Sequence, residues 1–258
     1  MDLNLTGKNA LVCGGSHGIG KAAAIELAAL GANVTLLSRT EASLQKALNE
    51  LPSKGAQKHA FIAVDMNDHA ALAEKVAAAA PFHVVVNNTG GPPGGPANAA
   101  KIDEFTAAFS QHLLANQTTL QAVLPGMKAA NYCRIINVIS TSVKEPIKNL
   151  GVSNTIRGAV ANWSKTLAAE LGGFGITVNN VLPGYTKTAR LDQILGDRAK
   201  ATQQDEAAVA KSMLANVPAG RFADAHEIGA VIAFLATPAA GYINGINVPV
   251  DGGRTQSL

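Results

Sequence analysis

The run Gly14-Gly15-Ser16-His17-Gly18-Ile19-Gly20 is the densest concentration of chemically suggestive residues in the chain. It follows the apolar stretch Asn9 to Cys13 and leads into a segment whose Ile19, Ala23, Leu27 and Leu30 share one helical face. Glycines at 14, 18 and 20 between a strand and a helix present backbone N–H groups and the positive helix end to an anion. No Cβ stands in the way, so the turn suits the pyrophosphate of a dinucleotide. A tight turn without a ligand is the alternative reading. The next apolar run ends Leu36-Leu37-Ser38-Arg39. A carboxylate there would bond the ribose hydroxyls of NAD, whereas a cation pairs with the 2′-phosphate of NADP. Arg39, with weaker help from His17, therefore points to NADP(H) over NAD(H). A solvated arginine preceding a helix cap at Thr40 is the other reading.

These residues need a scaffold, and apolar runs alternate with helical periods along the chain. Strands are predicted at 9–13, 34–38, 60–65, 83–87, 134–140, 176–182 and 246–250. Helices are predicted at 19–30, 41–51, 68–80, 102–128, 155–171 and 224–236. Continuous apolar strands joined by helical crossovers give a parallel sheet covered on both faces, a doubly wound α/β fold. The chain of 258 residues has 47% hydrophobic and 15% charged residues, enough for a buried core and too apolar for disorder. A net charge of +3 with no block of either sign argues against nucleic acid as a partner. Cys13 and Cys133 make no disulfide framework or metal-ligand spacing, so no metal is expected. The N-terminus lacks a signal-peptide pattern and no apolar stretch reaches a membrane-spanning length, so a cytoplasmic location is expected. Gly90-Gly91-Pro92-Pro93-Gly94-Gly95-Pro96 follows a strand end, where such sheets bind ligands. The polar stretch 187–204 is expected to be a lid loop over the substrate, or else a mobile surface loop.

With further marks downstream, the chain resembles the short-chain dehydrogenase/reductase family, and within it the 3-oxoacyl-acyl-carrier-protein reductase-like members. The marks are Gly14-x-x-x-Gly18-x-Gly20, Asp65, Asn87-Asn88-Thr89-Gly90, Pro183-Gly184-Tyr185-Thr186-Lys187-Thr188 and Val250-Asp251-Gly252-Gly253. The resemblance covers nearly all of residues 1–258 and implies one dinucleotide-binding domain, a single-domain Rossmann-type doubly wound parallel sheet. It implies that Asp65 and Met66 lie against the adenine, and that Asn88, Thr89 and Gly90 approach the cofactor ribose. Pro183, Gly184, Thr186 and Thr188 would surround the nicotinamide end. Thr89 replaces the family's alanine. The resemblance also implies a homodimer or homotetramer, formed through 102–128, 155–171 with Trp163, and 246–250.

The family's catalytic identities are mostly changed. Its members use a serine to orient a carbonyl, a tyrosine to supply the proton, a lysine, and an upstream asparagine. Ser140 matches the serine, but the tyrosine and lysine positions hold Ser153 and Arg157, and the asparagine position holds His112. The flanks Arg134 to Val138 and Gly158 to Val160 match without a gap. Tyr132 and Tyr185 bracket the region, and Tyr132 is expected at the opposite edge of the sheet. Serine is a far weaker acid than tyrosine. Arg157 releases no proton, yet its planar fork can bond the nicotinamide ribose and add positive field. Lys144, Lys148 and His112 are candidate substitute acids, each with a bland reading as a solvated or packed side chain. Asn116, one turn from His112, could take the missing asparagine's part. Lys144, Lys148, Lys187 and Arg190 could form a basic rim for an acyl-carrier substrate, or be scattered surface charges. Two functions follow: an NADP(H)-dependent oxidoreductase that reduces a ketone such as a 3-oxoacyl thioester with an atypical proton donor, or a non-catalytic NADP(H)-binding sensor or partner subunit.

Overall fold

The computed structural model describes residues 1–257; Leu258, the last residue of the expected domain, lies outside the described residues. The seven strands are β1 (Asn9–Cys13), β2 (Asn33–Ser38), β3 (Ala60–Ala63), β4 (Val84–Asn87), β5 (Cys133–Val138), β6 (Ile176–Pro183) and β7 (Asn247–Val250). They form one sheet in the order β3-β2-β1-β4-β5-β6-β7, with every pair parallel. All seven expected strands are present, with their ends shifted by a few residues at most. The chain leaves β1 in one direction towards β2 and crosses back to β4 on the other side. The crevice at such a switch point, beyond the carboxyl ends of the strands, is where this architecture binds ligands.

Strand alternation builds two cores from one sheet. Ala10, Val12, Val34, Leu36, Val84 and Val86 face one side, packing with helices α1 (Gly18–Ala29) and α9 (Ala225–Ala236). Leu11, Cys13, Leu37, Val85, Ile135 and Val178 face the other. There they meet α3 (His69–Ala79), α5 (Ala115–Ala130) and α6 (Gly151–Leu171). The remaining helices are α2 (Glu41–Leu48), α4 (Ile102–Phe109), α7 (Ala189–Thr202) and α8 (Glu206–Leu214). α1 and α9 approach so closely that a Cβ on Gly229 would lie 2.8 Å from the Ala22 carbonyl carbon.

The carboxyl half of the sheet is tied by a ladder of asparagines, buried at Asn87, Asn137 and Asn180 and exposed at Asn247. The Asn87 amide donates to Asn137 (2.8 Å), Asn137 to Asn180 (3.0 Å) and Asn180 to Asn247 (2.8 Å). These residues occupy facing positions on β4, β5, β6 and β7. Asn137 also donates to Ser164 Oγ on α6 at 3.2 Å. The ladder fixes the register of the strands from which Asn88, Ser140 and Pro183 emerge.

Besides α8, where the sequence reading expected no helix, three segments differ from it. The span expected as one helix at 102–128 is divided by a π-helical turn, Ser110–Leu114, between α4 and α5. The expected lid loop 187–204 is instead mostly helix α7. Its Leu191, Ile194, Leu195 and Ala199 pack on Val209, Met213 and Phe222, an apolar face that the intervening polar residues disguise. Finally, α6 starts at Gly151 rather than Thr155, because Val152 is buried with Ile156 and Ala108. Ser153 therefore sits in its first turn.

Candidate active site

A cleft of about 400 Å³ opens beyond the carboxyl ends of β1, β4, β5 and β6. Gly14 and Gly18 of the glycine turn form one end, Asn88 to Gly91 the floor, and Val138 to Ser140 with Pro183 to Thr186 a wall. Ser153 and Arg157 enter from α6, and Arg190, Leu191 and Ile194 cover it from α7. Residues of five separated sequence regions thus share one cavity.

The glycine turn is shaped by close approach. Gly14 has φ of +61°, and a Cβ on it would stand 2.6 Å from both Asn88 Nδ2 and the Asn88 carbonyl oxygen. A Cβ on Gly20 would stand 2.2 Å from the Gly14 carbonyl oxygen. α1 begins at Gly18 behind His17, and no side chain caps its first N–H groups. His17 Nδ1 lies 3.0 Å from Ser16 Oγ. Uncapped amides at a helix N-terminus with no Cβ above them fit a pyrophosphate. The turn is seated on the sheet through Gly15 N–H to Leu37 O at 3.3 Å. Ile19 and Thr188 also line the cleft, Thr188 close enough that a Cβ on Gly18 would meet its methyl at 3.2 Å.

Ser38 and Arg39 at the end of β2, next to β1, and Asp65 and Met66 just beyond β3 lie outside the cavity lining. Arg39 is exposed and makes no ion pair among the described residues. Ser38 Oγ is buried without a hydrogen-bond partner. Asp65 is exposed and accepts from Asn67 N–H at 2.9 Å, while Met66 is buried. An exposed cation beside an unpartnered hydroxyl suits a 2′-phosphate.

At the other end, Ser140 follows β5, and its Oγ accepts from Ser142 N–H at 3.1 Å. Ser153 and Arg157 stand one turn apart on α6. Arg157 is 7% exposed and donates to the Val138 carbonyl at 3.1 Å. Burial first, and then the Arg190 charge, lower its pKa to about 10, so it stays cationic at neutral pH. No carboxylate lies within ion-pair distance of Arg157 or Arg190 among the described residues.

His112 lies on the π-helical turn behind Thr89 and outside the cleft lining. It is buried, with Nδ1 hydrogen-bonded to Thr89 Oγ1. Burial, followed by the Arg157 charge, pushes its pKa down to about 3. The expectation of a usable acid near neutral pH is therefore corrected: the imidazole is neutral there. Its Nε2 and the Asn116 Oδ1 are both buried without partners, so the two groups do not bond each other. Lys144 and Lys148 do not line the cleft, and Lys187 pairs with Asp224 at 2.9 Å. Of the expected basic rim, Arg190 alone reaches the cavity. Tyr132 lies before β5, at the opposite end of that strand from Ser140, where its hydroxyl donates to Ala236 O at 2.8 Å.

The sequence reading missed Tyr185 as a cleft residue. Its ring meets Phe222 edge-on at 6.2 Å, and the Arg254 guanidinium lies 4.9 Å from the ring centre. The signal was present in its place within Pro183 to Thr188, but its orientation depends on α7, α8 and the C-terminal segment. Gly91, by contrast, was legible as part of the glycine-proline run.

A family model described as enoyl-(acyl carrier protein) reductase matches residues 14–255. The 3-oxoacyl-[acyl-carrier-protein] reductase FabG of Vibrio cholerae is 34% identical over 253 residues, covering 97% of this chain and 98% of its own. The NADPH-dependent reductase BacG of Bacillus subtilis is 28% identical, with 97% and 99% covered. Among solved structures, L-sorbose reductase from Gluconobacter frateurii complexed with NADPH and L-sorbose superposes with a TM-score of 0.92 at 27% identity, covering 100% of both chains.

Proposed function

Since the chain belongs to the short-chain dehydrogenase/reductase family, we propose that it is an NADP(H)-dependent oxidoreductase that reduces a ketone without the family's tyrosine and lysine. One observation carries the reading: Ser140, Ser153 and Arg157 line the same cleft as the glycine turn. NADPH, when bound, supplies a hydride to the carbonyl carbon. Gly14, Ser16, Gly18, Ile19 and Gly20 would hold the pyrophosphate, His17, Ser38 and Arg39 the 2′-phosphate, and Asp65 and Met66 the adenine. Asn88, Thr89, Gly90, Pro183, Gly184, Thr186 and Thr188 would take the ribose and nicotinamide end. NADPH-dependent relatives and the exposed Arg39 support this preference.

In the reductive step the Ser140 hydroxyl orients the carbonyl oxygen by donating to it. Arg157 places a permanent positive charge near the oxygen as negative charge develops there. Its proton is not released, so the oxygen receives one from Ser153, Tyr185 or solvent, with loss of the roughly 10²–10⁴-fold that a positioned acid contributes. His112 serves as a neutral support for Thr89 rather than as the acid.

3-Oxoacyl thioesters are the first ketones to test. The absence of the tyrosine and lysine favours the second reading, a non-catalytic NADP(H)-binding sensor or partner subunit. NADPH consumption by the purified chain, measured against thioesters, diketones, 2-oxo acids and quinones, separates them. Turnover that disappears in Ser140→Ala supports the reductase. Tight NADPH binding without turnover across the panel supports the second reading.

Assembly as a homodimer or homotetramer is part of the proposal. Tyr242 is fully exposed, and Ile102, Phe109, Leu114 and Ile246 also face solvent in the isolated chain. Among the described residues no helix is long and apolar enough to cross a membrane. The two buried free cysteines fit a reducing cytoplasm.

A further inference from the structure

The charge of the cleft is one-sided. Its lining includes Arg157 and Arg190 and no aspartate or glutamate. Among the described residues neither guanidinium has a carboxylate within ion-pair distance, while the exposed surface supplies such partners to Lys21, Lys187 and Arg221. The buried Arg157 is costly without a counter-charge, and the cost falls when an anion enters the cleft it shares with the half-buried Arg190. The two arginines also repel each other, Arg190 contributing to the lowered pKa of Arg157.

Arg190 is held by elements other than those that form the candidate phosphate sites. The pyrophosphate cradle lies on β1 and α1, and Arg39 follows β2. Arg190 sits on α7, against the segment that follows β4. Its Nη2 donates to the Pro92 carbonyl at 2.8 Å and its Nη1 to Gln193 Oε1 at 2.9 Å. These two bonds orient the guanidinium by the cleft and leave N–H donors unused. Leu191, Ile194 and Leu150 supply the apolar wall around it. A planar donor fork in such a wall suits bidentate pairing with a carboxylate or phosphate.

We propose that the substrate is a carbonyl compound bearing an acidic group, and that Arg190 receives that group while Ser140 and Arg157 face the reacting oxygen. This rests on the reductase reading and narrows its substrate class. Arg190 is a specificity residue: it touches the acid function, not the atoms that change bonds. A neutral ester of the same ketone would leave the guanidinium without its partner.

The test pairs 2-oxo and 3-oxo acids with their methyl esters at saturating NADPH. The wild type is expected to favour acid over ester by about 10²-fold in kcat/KM, the size of one charge-assisted pair. In Arg190→Gln the acid-to-ester ratio should fall towards one, mainly through KM for the acid, and Arg190→Lys should restore part of it. Acid and ester turned over with equal efficiency by the wild type would overturn the proposal while leaving the reductase reading intact. Binding of oxamate and of inorganic phosphate to the NADPH complex supplies a readout without turnover. Binding of either that is lost in Arg190→Gln supports the acidic-group site, and the ion that binds identifies carboxylate or phosphate as its source. No binding of either ion, or equal binding to both proteins, would refute the site even if no substrate were turned over.

Discussion

Replacing Arg157 with methionine should make the cofactor-free protein more stable. Arg157 is 7% exposed and, among the described residues, has one hydrogen bond to the protein, to the Val138 carbonyl, and no carboxylate partner. A pKa lowered from 12.5 to about 10 corresponds to about 3 kcal/mol of cost for holding the charge in the fold. Methionine keeps the length and apolar character of the stem and removes the charge. Val138 lies on the cleft wall, so water can replace the guanidinium at its carbonyl. After loss of that contact a net gain of about 1–2 kcal/mol is expected, by analogy with buried charges replaced by packed apolar groups. For a chain of this size that is a rise of about 2–8 °C in Tm. Urea unfolding and calorimetry without cofactor measure it, and the rise in Tm on adding NADPH should be smaller in the variant. A loss of more than about 1 kcal/mol in the cofactor-free variant would refute the reasoning. It would mean that the guanidinium is built into the fold rather than held against it for the site.

Arg39→Asp should weaken NADPH binding by about 10²-fold and improve NADH binding, through loss of a charge-assisted pair with the 2′-phosphate. Fluorescence titration checks this, and unchanged stability is expected because Arg39 is exposed and unpaired among the described residues. His112 is neutral in the fold, with a pKa of about 3 against an ordinary 6.5, and takes up a proton on unfolding between those values. Its contribution to stability is therefore present above pH 6.5 and lost as pH falls, with a slope of up to about 1.4 kcal/mol per pH unit. Relative to wild type, His112→Gln should lose less stability between pH 6.5 and 4; parallel curves by urea unfolding would contradict this. Asn137→Ala should cost about 3 kcal/mol or more, because Asn87, Ser164 and Asn180 each lose a buried partner. Denaturation midpoints report that loss. Gly20→Ala should abolish measurable NADPH binding, since its Cβ would stand 2.2 Å from the Gly14 carbonyl oxygen.

The parts of this protein legible in the sequence are those governed by local chemistry. Apolar runs of strand length located all seven strands, and the spacing of Gly14, Gly18 and Gly20 located the nucleotide turn. The type of residue 39 indicated the cofactor preference, and fixed offsets from Ser140 exposed the substitutions at 112, 153 and 157. α7 escaped because its buried face is a narrow row among polar residues, and the helix is completed by packing on α8. The π-helical turn escaped because a one-residue change in helical pairing leaves no periodic signal over five residues.

The electrostatic character of the site belongs to the tertiary structure. His112 is an ordinary histidine in the sequence, and only burial beside Arg157 makes it neutral across the physiological range. Arg157 and Arg190 are 33 positions apart in the chain, yet they face one acid-free cleft. Residue types and spacing specify which groups are available, because strand, helix and turn formation depend on near neighbours. Desolvation and Coulomb interaction act through space, so the fold decides which of those groups carry charge and where an anion would be met.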